Sequence, residues 1–106
     1  MTTFDRREQG FETQFAHEEE VRFKASARCN RLAGLWAAEK LGLAGSDAEA
    51  YAKAIVVTDV DKPGSDSVFE KLRSDFKLKG VAQSDHQIRR TLDEFMKRAL
   101  AEMKAS

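Results

Sequence analysis

Ser84-Asp85-His86-Gln87-Ile88-Arg89-Arg90-Thr91-Leu92-Asp93-Glu94-Phe95-Met96-Lys97-Arg98-Ala99-Leu100-Ala101-Glu102-Met103 decides the fold class. Its apolar residues Ile88, Leu92, Phe95, Met96, Ala99, Leu100 and Met103 recur at the i, i+4, i+7, i+8 spacing that lines one face of a helix. Ser84 opens the stretch and Gln87 follows three residues later, a capping-box pattern in which the serine oxygen accepts an amide hydrogen and the glutamine side chain reaches back. The same S-x-x-E/Q pattern stands at Ser46-Asp47-Ala48-Glu49 and at Ser67-Val68-Phe69-Glu70, so each later segment carries a helix start signal.

Working outward, glycine and proline cluster at Gly42 to Gly45, at Pro63-Gly64 and at Gly80, dividing the chain into four segments of helical length. In the third segment Val68, Phe69, Leu72 and Phe76 share one side, and Gly80 sits where a left-handed C-terminal cap is needed. The second segment begins rich in alanine but ends in Ile55-Val56-Val57-Thr58, a β-branched run that propensity alone assigns to a strand. A strand here has no evident partner strand, and an unpaired edge leaves backbone groups unsatisfied, so the segment is read as helix. The fold class is all-α.

The first segment, from Thr3 to Leu41, is interrupted only by Gly10 and Gly34 and exceeds an ordinary globular helix. On a helical projection Phe4, Phe11 and Phe15 form a narrow stripe, whereas Val21, Ala25, Leu32 and Trp36 centre on a rotated direction. The apolar face therefore changes direction near Ala16 to Glu18, where the solvated acidic run Glu18-Glu19-Glu20 begins. This predicts residues 1–17 as one unit and 18–106 as another.

Composition narrows the function classes. The 106 residues suit one compact domain. Equal numbers of basic and acidic residues, 18 each, remove the basic excess of a nucleic-acid binder. No apolar run approaches the ~20 residues that span a bilayer, the polar start lacks a secretory signal, and the lone Cys29 requires no oxidising compartment. These features predict a protein of the cytoplasm or of the aqueous face of a membrane complex.

Chemistry-bearing motifs are missing from the sequence: no Gly-rich phosphate loop, no Cys or His pair at metal spacing and no nucleophile beside a base. No catalytic residue, cofactor or metal is predicted. His17 and His86 read as surface or first-turn helix residues, and Cys29 as a small hydrophobe on the side of Leu32 and Trp36. Asp85 reads as a first-turn acid favoured by the helix dipole, and Trp36 and Tyr51 as core aromatics rather than a base-stacking pair.

Residues 1–17 stand out. Phe4, Phe11 and Phe15 lie on one stripe, with Arg6, Arg7, Glu8 and Glu12 around them, in the outline of a partner-binding segment. As a helix the segment spans ~25 Å at about 1.5 Å per residue, a length marginal for an isolated helix, and Gly10 weakens it by about 1 kcal/mol. Disorder when free and helix when bound is the natural combination. Burying the three aromatic rings on a partner supplies roughly 5 to 9 kcal/mol before ordering costs. The alternative is that the phenylalanines fold back and complete the core.

Phe11-Glu12 through Phe15-Ala16-His17-Glu18-Glu19-Glu20, Gly34-Leu35-Trp36-Ala37-Ala38-Glu39-Lys40-Leu41-Gly42, Asp47-Ala48-Glu49-Ala50-Tyr51-Ala52-Lys53 and Gly80 through Glu94 together resemble the zeta subunit of the F-type ATP synthase of alphaproteobacteria. The resemblance runs from end to end. It implies a four-helix bundle that binds the catalytic head of the ATP synthase and inhibits its ATP hydrolysis. It further implies that the N-terminal segment enters a catalytic interface of the alpha and beta subunits beside the central stalk and blocks rotation like a pawl. Carried onto this chain, the inhibitory segment is Met1 to about His17, with Phe4, Phe11 and Phe15 as apolar anchors and Arg6, Arg7, Glu8 and Glu12 as polar contacts. The free protein is expected to be a monomer, without nucleic acid and without insertion into the membrane. Two alternatives remain beside an inhibitor: a structural subunit without inhibitory action, and a helical sensor of adenine nucleotide, for which no phosphate cradle is evident.

Overall fold

The computed structural model describes the backbone of residues 3–62 and 66–105 and the side chains of residues 18–62 and 66–104. Four helices follow one another: α1 (Thr3–Lys40), α2 (Gly45–Asp61), α3 (Ser67–Leu78) and α4 (Asp85–Ala105). α1 packs on both α2 and α4, and α3 closes the bundle by bridging α2 to α4. The expected four-helix bundle is the fold. The β-branched run at Ile55 is helical, with Ile55 fully buried, because burial against α1 and α3 outweighs the modest strand preference of Ile and Val.

One capping box forms and two do not. Ser84 Oγ accepts from the Gln87 amide at 3.1 Å, while Gln87 Oε1 accepts from the Ser84 amide at 2.9 Å. α2 instead starts at Gly45 behind Ala44, which has no side chain to cap with, and Glu49 turns away to pair with Arg31 at 2.9 Å. Asp66 occupies the cap position of α3 without a capping bond, its carboxylate accepting from Arg89 at 3.3 Å. At the other ends, α1 and α3 close in the same way. The amides of Leu43 and Val81 reach back five residues to the carbonyls of Ala38 and Phe76 at 2.8 Å, with Gly42 and Gly80 left-handed between.

The seam of α1 is built of small residues. Ala25, Cys29, Ala33 and Ala37 recur every fourth position and are buried, with Ala38 beside them. Of the residues that the projection selects, Ala25 is fully buried in this seam, whereas the larger Val21, Leu32 and Trp36 lie at its margin and are only partly buried. The main core joins Ala33, Ala37, Ile55, Leu72, Phe76 and Ile88, with Trp36 edge-on to Phe76 at 5.5 Å. A smaller cluster of Ala25, Cys29 and Ala99, edged by Phe95 and Met103, ties α1 to the second half of α4. Cys29 thus belongs with α4 rather than with Trp36, its thiol donating to the Leu92 carbonyl at 3.5 Å.

Candidate functional site

α1 is long for the bundle it serves. At about 1.5 Å per residue its 38 residues extend roughly 57 Å, and the molecule measures 64 × 24 × 21 Å. α4 runs antiparallel to it: Ala25 clusters with Ala99 in the second half of α4, and Ala33 and Ala37 with Ile88 near its start. Among the described residues the buried core touches α1 only from Ala25 onward. Glu18, Glu19, Glu20, Arg22, Phe23 and Lys24 are exposed, with Lys24 paired to Glu20 at 2.8 Å, so the acidic run is a solvated face. Phe23 nevertheless leaves 62% of its surface to water.

The backbone at Phe4, Arg6, Arg7, Glu8, Phe11, Glu12 and Phe15 belongs to α1, and the side chains of these seven residues lie outside the described ones.

Two concavities mark the bundle surface. A shallow groove between α1, α2 and α4 has Ala27, Leu32 and Val56 on its floor and Arg28, Arg31 and Arg98 along its edges. Its cations are matched within the chain: Glu102 accepts from Arg28 at 3.3 Å and from Arg98 at 2.9 Å, and Glu49 pairs with Arg31. The second concavity, a recess of about 430 Å³, gathers Asn30 from α1, Asp59 from α2, Phe69 from α3 and Leu92, Asp93 and Met96 from α4. Arg89 stands at its rim with its guanidinium 3.9 Å above the Phe69 ring.

Cys29 also borders the recess. Burial, and after it the carboxylates of Asp59 and Asp93, push its thiol up to about 11, so the sulfur stays protonated and is not a nucleophile near neutral pH. Tyr51 donates to Asp75 Oδ2 at 2.7 Å, with Lys71 on the same carboxylate oxygen at 3.2 Å; burial first, then the hydrogen bond and charge of Asp75, raise its phenol above the ordinary range. His86 is exposed in the first turn of α4, and Asp85 beside it pairs with Arg73 at 3.1 Å. Among the described residues no group of three His, Cys, Asp or Glu could hold a metal ion, and no helix is long and apolar enough to cross a membrane. Sequence reading missed the recess altogether, because its polar residues come from three helices and share no local spacing.

A family model described as ATPase inhibitor subunit zeta matches residues 1–102. Among solved structures, one determined by solution NMR superposes with a TM-score of 0.69 at 35% identity, covering 80% of this chain and 96% of its own. No curated protein matches.

Proposed function

Because the chain belongs to the ATPase inhibitor subunit zeta family, we propose that it binds the catalytic head of the F-type ATP synthase and that residues 1–17 inhibit ATP hydrolysis by entering a catalytic interface of the alpha and beta subunits beside the central stalk. The observation that carries this reading is the length of α1. It starts at Thr3, whereas the described core reaches it only from Ala25, about 33 Å further along the helix axis. Along its first part Phe4, Phe11 and Phe15 form an apolar stripe of their own, flanked by Arg6, Arg7, Glu8 and Glu12.

A wedge of this kind needs shape and apolar area rather than reactive groups. A helix held in a cleft that must close during turnover binds the open state better than the closed one, and the population moves to the stalled conformation by that differential affinity. Residues 18–106 act as the body that keeps the wedge at high local concentration beside its cleft.

The test is ATP hydrolysis by the purified head from the same source, titrated with the full chain and with a chain lacking residues 1–17. Inhibition by the full chain and its loss on truncation are expected. Equal inhibition by both chains would move the activity to the bundle, and inhibition by neither would leave a structural subunit.

A further inference from the structure

The recess bordered by all four helices gathers polar residues among apolar ones and is uncompensated in charge. Asn30 is a buried polar residue, only 7% exposed, and its side-chain amide makes no hydrogen bond with another described residue. No polar side-chain atom among the described residues is both sealed from solvent and without a partner, so the Asn30 amide keeps a little exposed surface, and Asn30 lines the recess. Three carboxylates line the same space, Asp59, Asp66 and Asp93. Arg89 pairs with Asp66 at 3.3 Å, while neither Asp59 nor Asp93 forms an ion pair with another described residue. The recess therefore offers two unmatched negative charges and one unmatched amide over walls made of Leu92, Met96 and Val68.

We propose that this recess is the docking site for an arginine side chain of a partner protein, with the guanidinium between Asp59 and Asp93 and Asn30 Oδ1 as a further acceptor. A metal ion fits the place poorly, since the described acids do not converge into a ligand set. A long basic side chain fits it well, because its methylene stem covers apolar wall while the charged head meets the carboxylates. Arginine is favoured over lysine because the acceptors come from three different helices, and a planar fork of five donors serves separated acceptors that a compact ammonium cannot reach together. The Asn30 amide, held mostly out of water and bonded to no described residue, gains hydrogen bonds on binding without new ordering of its own element. The site uses bundle residues alone and stands apart from the wedge formed by residues 1–17.

The experiment is an NMR titration of the ¹⁵N-labelled full chain with Nα-acetyl-arginine methylamide, beside the corresponding lysine and citrulline compounds. Saturating shifts centred on the Asn30 side-chain amide and on the Asp59 and Asp93 backbone amides are expected, with a millimolar dissociation constant for arginine. Binding should be several-fold weaker for lysine and absent for uncharged citrulline. Asp59→Asn with Asp93→Asn should abolish the shifts, and Asp93→Asn alone, at an exposed position, supplies the same test if the double variant does not fold. Shifts spread over the exposed acids of α1, or equal shifts with citrulline, would overturn the site. Weaker binding of Asp93→Asn to the purified ATP synthase head, with undiminished inhibition at saturation, is expected of a partner arginine. Wild-type affinity would rule that partner out. Failure of the wedge would show separately, in the chain lacking residues 1–17.

Discussion

Gly34 of α1 lies flat against Ala52 of α2: a Cβ placed on Gly34 would stand 2.6 Å from the Ala52 Cα and 3.1 Å from its Cβ. The nearest atom is backbone, so a methyl group at Gly34 separates the two helices instead of displacing a flexible side chain. Gly34→Ala gains helix propensity of up to about 1 kcal/mol, but overpacking at a backbone contact costs roughly 1 to 3 kcal/mol. Net destabilisation is expected, visible as a lowered midpoint in urea, with Gly34→Val worse. A midpoint raised by Gly34→Ala would show that the crossing yields easily.

Ser84 and Ser46 open the same S-x-x-E/Q pattern, yet only Ser84 caps its helix. Ser84→Ala should lower stability by about 1 kcal/mol, whereas Ser46→Ala, replacing a residue inside α2 with a better helix former, should leave stability unchanged or slightly raised. Thermal unfolding of the two variants side by side measures the difference.

That contrast marks how far the sequence can be read. α3 and α4 were legible because large apolar residues such as Phe76, Leu72, Ile88 and Leu92 repeat with helical period, and Gly80 announced the left-handed stop it makes. The seam of α1 was not, since alanine, glycine and cysteine contribute little to an apolar pattern although close approach demands them. Projection weighted toward Val21, Leu32 and Trp36 therefore pointed to the edge of the buried stripe. The capping boxes failed for a related reason: Gly45 and Asp66 extend the helix starts beyond the serines, a choice made by the loops and by the pull of Arg31 on Glu49 and of Arg89 on Asp66. The proposed segment at residues 1–17 stands out in the sequence by its stripe of phenylalanines, whereas Asn30, Asp59 and Asp93 meet only through tertiary packing.

Cys29 should resist alkylation. With the thiol pushed up to about 11 from 9.0, roughly 100-fold less thiolate is present at pH 8 than for a free cysteine, and burial slows access further. Iodoacetamide should label the folded chain far more slowly than the chain in denaturant, and equal rates would contradict the packing of Cys29 under α4. The folded thiol holds its proton above the unfolded pKa. Its contribution to stability is complete below about pH 9 and is lost as pH rises toward about 11, and Cys29→Ala should flatten this part of the profile.

Tyr51 and Asp75 couple α2 to α3 by a bond of 2.7 Å, and Lys71 keeps the carboxylate partly satisfied if the phenol is removed. Tyr51→Phe should therefore cost about 1.5 kcal/mol, the low end for a hydrogen bond to a charged group. The folded phenol is raised above its unfolded value near pH 10, so its stabilisation is present below that pH and lost above it. Wild type should lose stability in that alkaline window more steeply than Tyr51→Phe, by urea unfolding at successive pH values.

Phe11 and Phe15 separate a wedge from a core. If they are anchors in the partner, each truncation to alanine removes roughly 1.5 to 3 kcal/mol of apolar burial from the complex, a loss of about ten- to a hundred-fold in inhibitory affinity. The free bundle should keep its unfolding midpoint, because the described core of α1 starts at Ala25 and closes through Cys29, Ala33 and Ala37. Were the rings instead folded onto the bundle, the order of effects would reverse: Phe11→Ala and Phe15→Ala would cost roughly 3 to 5 kcal/mol in unfolding while inhibition per folded molecule stayed constant. Measuring both quantities on the same variants decides between them, since no single placement of the two rings predicts both losses at full size.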